Sequence, residues 1–125
     1  MSASFQAPIK SHRDLIVWQK AMDLVVLIYK ATEAFPKHEL YGLTSQLRRA
    51  AASIPANIAE GQGRRSKPEF CQFLGNARGS LLELDTHLEL ALRLRIFDNQ
   101  SARKDSEGCC RGRQAYEWLI AFTNL

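Results

Sequence analysis

No run of apolar residues in this 125-residue chain approaches the roughly twenty that a bilayer-spanning helix needs, and Met1 to Leu15 contain no apolar stretch of the kind a secretory signal carries. The expected location is therefore the cytoplasm, with no membrane partner. Cysteine is scarce and odd in number: Cys71, Cys109 and Cys110. Adjacent cysteines bridge only with strain, so all three are read as free thiols. The triplet Asn99-Gln100-Ser101 fits a glycosylation acceptor, but without export it carries no meaning. Also missing are the alternating apolar and polar stretches of strands, any internal repeat and any low-complexity tract.

The reactive motifs are absent as well. No HExxH, paired CxxC, phosphate loop or nucleophile elbow occurs. His12, His38 and His87 are scattered, and His87 is two residues from both Asp85 and Glu89, a spacing that does not share a helix face. Glu83 and His87, four apart, do share one, and read as a weak surface pair. Metal sites usually need three or four ligands, so no metal, no cofactor and no catalysis is expected.

What is present is helix. The length suits one hydrophobic core, so 1–125 is read as a single domain, with 1–11 a flexible N-terminus and 98–112 irregular or poorly helical. Ser11 and Asp14 form a capping-box pattern opening the first helix. Two apolar stripes follow: Leu15, Trp18, Met22, Val25, Tyr29 and Thr32, then Val17, Ala21, Leu24, Ile28, Ala31 and Phe35. Together they cover about 200° of the helix, too wide an arc for one partner. Pro36 ends the helix by holding Phe35 extended.

A second helix is expected from near Glu39, with Leu40, Leu43, Leu47, Ala50, Ala51, Ile54 and Ile58 on its buried face. Its opposite side holds Tyr41, Ser45, Ala52, Ala56 and Ala59, mostly small residues that admit a close neighbour or simply favour helix. Gly61-Gln62-Gly63 is read as a left-handed terminator. Ser66, Pro68 and Glu69 start a third helix, whose seam is Phe70, Leu74, Ala77, Leu81, Leu84, Leu88 and Ala91. Cys71 beside Phe70 is taken as half-buried packing. Ala115, Trp118, Leu119 and Phe122 make a short fourth helix. The fold class is thus all-α, an antiparallel bundle of four helices.

Pro55 interrupts an alanine-rich helical stretch. Either it breaks the helix, with Ser53 capping a new one, or it bends a continuous helix whose freed backbone groups Ser53 and Asn57 satisfy. The unbroken phase of Leu47, Ala51, Ile54 and Ile58 favours the bend.

The segments "DLIVWQKAMDL", "FPKHELYGLTSQLRRAAASIPANIAEG" and "SKPEFCQFLGNARGSLLELDTHL" resemble the bacterial four-helix-bundle family encoded, among other places, in intervening sequences of 23S ribosomal RNA genes. The resemblance runs from about Asp14 to Leu94. It implies a left-handed up-and-down bundle, helix 2 continuous and kinked at Pro55, and a ring-like homopentamer. It further implies distant similarity to accessory proteins of diversity-generating retroelements, pentameric bundles that contact a reverse transcriptase and nucleic acid. It brings no catalytic residues. The Cys109-Cys110 stretch departs from the family's usual acidic fourth helix.

Seventeen Lys and Arg against thirteen Asp and Glu give a net charge of +4. Most of that excess lies between residues 41 and 70, where Arg48, Arg49, Arg64, Arg65 and Lys67 face Glu60 and Glu69, a balance of +3. Arg64, Arg65 and Lys67, in a glycine-flanked loop, are the expected nucleic-acid contacts; repeated around a ring they form a basic rim that grips phosphates without reading sequence. Arg48 and Arg49, on opposite flanks of the buried stripe, are expected to clamp carboxylates of a neighbouring helix or subunit. Ala52, Pro55, Asn57, Ala56 and Ala59 join them as packing residues. The expectation is a non-catalytic oligomeric scaffold or accessory protein on RNA or DNA. The rival is a protein-binding or structural oligomer with no nucleic-acid role.

Overall fold

The structure, a computed structural model, describes residues 8–96, and over that span it is all-α without strands. Three helices follow one another: α1 (Ile16–Thr32), α2 (Leu43–Gln62) and α3 (Lys67–Arg93), with 3-10 turns at His12–Asp14 and Lys37–Glu39. The expected fourth helix, the stretch 98–112 and Cys109 and Cys110 lie outside the described residues.

Local signals place most helix ends. Ser11 and Asp14 do form a capping box, the Ser11 amide donating to Asp14 Oδ2 at 3.1 Å, but it caps the first 3-10 turn. α1 begins only after extended Leu15. At the other end of the link Glu39 Oε2 accepts the Leu43 N–H at 3.1 Å, so α2 starts four residues later than Glu39 itself. Leu40 is therefore not on the buried stripe; it is 47% exposed. α3 starts as its sequence indicates, with Ser66 Oγ accepting from the Glu69 amide and proline in the first turn.

α2 passes through Pro55 without a break. Lacking an N–H, Pro55 leaves the Ala51 carbonyl without its helical donor. Asn57 does not serve that carbonyl. Its Nδ2 donates instead to Ser53 O at 2.8 Å and to Ser53 Oγ at 3.0 Å. Ser53 Oγ in turn shares a hydrogen bond of 2.8 Å with Ser80 Oγ on α3, so Asn57 acts on helix packing through Ser53.

The glycines at the end of α2 also work differently from the expectation. No described glycine has positive φ, and α2 continues through Gly61 and Gln62. Gly61 is buried because α3 crosses it: a Cβ there would lie 2.7 Å from Phe73 Cβ and 3.2 Å from Phe70 Cδ2. The residue is needed for close approach rather than for a turn. Arg49 with Glu83, Ser53 with Ser80 and Gly61 with Phe73 step along the two helices in opposite directions, which fixes α2 and α3 as antiparallel.

Leu24 and Ile28 of α1, Leu47, Ile54 and Ile58 of α2, and Leu84 and Leu88 of α3 are the largest fully buried side chains. The α3 seam from Ala77 to Ala91 is buried as its spacing requires. On α1 the two stripes part company. Ala21, Leu24, Ile28, Ala31 and Phe35 are buried, whereas Trp18 and Val25 are half-buried and Met22 and Tyr29 are exposed. The arc too wide for one partner is thus left partly open.

Candidate nucleic-acid interface

The link between α2 and α3, Gly63 to Ser66, turns the chain at one end of the helical array. It places Arg64, Arg65 and Lys67 on the surface, but not equivalently. Arg64 Nη2 lies 3.4 Å from Glu60 Oε1, one turn back on α2, and its guanidinium carbon sits 4.8 Å from the centre of the Phe73 ring. This side chain pins the end of α2 to α3 and spends part of its charge on Glu60. Arg65 and Lys67 are exposed and make no ion pair among the described residues. Lys67 opens α3, where the partial positive charge of the helix N-terminus adds to its own.

Arg48 and Arg49 point to opposite flanks of the buried stripe, and their partners differ in kind. Among the described residues Arg48 meets no carboxylate. Its Nε donates to Thr32 Oγ1 at 2.8 Å, its Nη2 to Tyr29 O at 3.4 Å, and its guanidinium lies 4.7 Å from the centre of the Tyr29 ring. These contacts sit on the last turn of α1, where a cation complements the carbonyl end of the helix. Arg49 does reach a carboxylate of a neighbouring helix, Glu83 Oε1 of α3 at 3.4 Å. Glu83 also lies 3.6 Å from His87 Nε2, the surface pair read from their spacing.

Ala52, Pro55, Ala56 and Ala59 form one wall of an apolar groove of about 290 Å³, and Trp18, Met22 and Val25 of α1 form the other. The open stripe of α1 and the small-residue face of α2 therefore lie side by side. Among the described residues no three His, Cys, Asp or Glu side chains converge as a metal site, and no helix is long and apolar enough to cross a membrane. Cys71 is exposed, not half-buried, because the α3 seam turns it away from α2.

Sequence reasoning missed one surface. Tyr41, Thr44 and Ser45 line a second cavity together with Arg48 and Arg49. Tyrosine and two hydroxyl residues ahead of an arginine pair, at the start of a helix, were the available signal.

Comparison with curated proteins gives no match. The sequence model of the 23S rRNA-intervening sequence protein family matches residues 13–111, most of the chain and all three described helices. The chain belongs to the 23S rRNA-intervening sequence protein family.

Proposed function

We propose that this protein is a non-catalytic, self-associating helical scaffold that binds nucleic acid through the basic loop between α2 and α3. The observation that carries the reading is the pairing of that loop: Arg65 and Lys67 stand exposed without an acidic partner among the described residues, beside an Arg64 that is anchored. Cations left unpaired on a surface exchange counterions for phosphates, a binding mode that needs no base contacts. The fourth helix completing a left-handed bundle, a bend at Pro55 and a homopentameric ring belong to the same reading. The apolar groove between α1 and α2 supports self-association, since it offers a second copy both large side chains and a close-approach surface. A ring would repeat the loop cations around one rim and raise a small charge per chain into a strong local field. In that setting the protein serves as an accessory to a nucleic-acid enzyme such as a reverse transcriptase.

The test is fluorescence anisotropy of the native oligomer with a structured RNA and a duplex DNA across a salt series. Arg64 is partly structural, so the informative variant is Arg65→Glu with Lys67→Glu, beside Arg64→Glu with Arg65→Glu. Affinity should fall linearly in log salt and be lost in the first variant while its oligomer persists. Absence of binding at low salt by an intact oligomer would leave a structural or protein-binding assembly instead.

A further inference from the structure

A second cavity, of about 430 Å³, lies at the opposite end of α2. The 20-residue helix separates it from the basic loop by about 30 Å, so it stands independently of the interface proposed above. Its walls are Tyr29, Leu40, Tyr41, Thr44, Ser45, Arg48 and Arg49.

Donors there outnumber acceptors. Gly42, the residue before α2, provides no side-chain cap for it. The first free amide, Leu43, is taken by the Glu39 carboxylate, which shows that this helix end accepts an oxyanion. The next two amides, Thr44 and Ser45, have no acceptor among the described residues. Thr44 is 3% exposed, yet its Oγ1 makes no hydrogen bond, one of two such buried side-chain atoms among the described residues. Buried hydroxyls are normally paired, so an unpaired one on a residue that lines the cavity marks a missing partner, which reaches this closed-off oxygen as the Thr44 side chain turns toward the cavity. Arg48 spends Nε and Nη2 on the end of α1, and Arg49 uses Nη2 for Gln46 and Glu83. Each guanidinium keeps further N–H groups.

The complement to two guanidinium groups, two helix-terminal amides and two hydroxyls is a multiply charged group that only accepts. A phosphate is that group, and helix N-termini with arginine are its common seat. The cavity is larger than one ion and falls within the size range of small-molecule sites. At its rim Tyr41 is 92% exposed, and its ring meets no other ring or guanidinium among the described residues. An exposed aromatic beside phosphate donors is the arrangement on which single bases stack. We propose that this cavity binds the phosphate of a nucleotide, with Tyr41 stacking on the base, whether the nucleotide is free or one unit of a single strand.

The experiment is amide-resolved NMR titration of the full chain with adenosine monophosphate, inorganic phosphate, adenosine, a short oligoadenylate and a duplex DNA. Adenosine monophosphate should move the Thr44 and Ser45 amides saturably, with a Kd of about 1 mM or tighter. Adenosine alone should not. Ser45→Glu suits the helix start yet repels an anion, and should weaken binding at least about tenfold without lowering stability. Thr44→Val should weaken it while raising the thermal midpoint, an outcome that a purely structural threonine does not give. Tyr41→Ala should weaken the nucleotide about fivefold and leave inorganic phosphate unchanged. Arg65→Glu with Lys67→Glu should leave all of these shifts intact, which separates this site from the loop. Stronger shifts with oligoadenylate than with the mononucleotide identify a strand as the source, and equal shifts identify the free nucleotide. No saturable movement of the two amides with either ligand, or an undiminished response in Ser45→Glu, overturns the proposal.

Discussion

Arg95 holds a backbone conformation that its own side chain opposes. It has φ 57°, the one positive value at a non-glycine position among the described residues. The cause is the way α3 ends. The Ile96 amide returns to Ala91 O at 3.0 Å and the Arg95 amide to Leu92 O at 3.1 Å, a Schellman closure that needs a left-handed residue at position 95 and buries Ile96 over the core. For an L residue with a Cβ the left-handed region costs about 1 kcal/mol. Arg95→Gly should accordingly raise stability by about 1 kcal/mol, less the chain entropy that glycine adds to the unfolded state, and urea unfolding would read it. Gly61 obeys the opposite logic. Alanine is the better helix former by about 1 kcal/mol, but its Cβ would fall 2.7 Å from Phe73 Cβ, closer than packed atoms stand. The two helices must then move apart, and overpacking of this kind costs about 1–3 kcal/mol. Gly61→Ala should lower the urea midpoint; an increase would mean that the crossing is looser than described. Neither role could be read from the sequence, where glycine stands for a turn and arginine for charge. Both depend on what crosses or follows the residue in space.

At the scale of helices the sequence was more legible. Periodicity identified α3 and its seam, the buried stripe of α2 and the wide arc of α1, because a 3.6-residue repeat is a local property. Boundaries were less legible where side chains acted at a distance, as Glu39 does in delaying α2. Arg49 finds the carboxylate of a neighbouring helix that the sequence led one to expect, whereas for Arg48 the flank was legible but not the kind of partner. Arg48 replaces the expected carboxylate with the end of α1, and this difference has an energetic consequence. Thr32 is buried and accepts the Arg48 Nε–H while its own hydroxyl donates to Ile28 O at 2.8 Å. Losing a hydrogen bond from a charged donor at such a place costs about 2 kcal/mol, to which the stacking on Tyr29 adds. The Arg49–Glu83 pair leaves 67% and 43% of its side chains exposed, and pairs of that sort contribute under about 1 kcal/mol. Arg48→Ala should therefore destabilise the fold by about 2 kcal/mol and Arg49→Ala by little. Equal losses in chemical denaturation would show that the two arginines are equivalent after all.

For the whole molecule, the question is what lies against the groove between α1 and α2. Trp18, Met22 and Val25 face Ala52, Pro55, Ala56 and Ala59 there, and Val26 and Tyr29 extend exposed apolar surface along α1. A proline inside a helix costs about 3 kcal/mol relative to alanine, and here its ring forms part of the groove wall. The small side chains on the α2 wall allow another helix to approach closely, and the larger ones on α1 supply area toward the roughly 800 Å² per partner of a stable interface. Ala56 is exposed within the isolated chain, so a charged side chain there meets water and is tolerated by the fold. Against a second copy it would be buried without a partner, at a penalty of several kcal/mol. On the proposed self-association, Ala56→Glu should thus yield a monomer in light scattering where the unsubstituted protein is an oligomer, while the far-ultraviolet helix signal stays unchanged. RNA affinity should fall with it, because a single loop carries too few phosphate contacts once the rim is dispersed. An Ala56→Glu protein that keeps its native mass would place the self-association surface elsewhere, and the small-residue face of α2 would then be a solvated helix side.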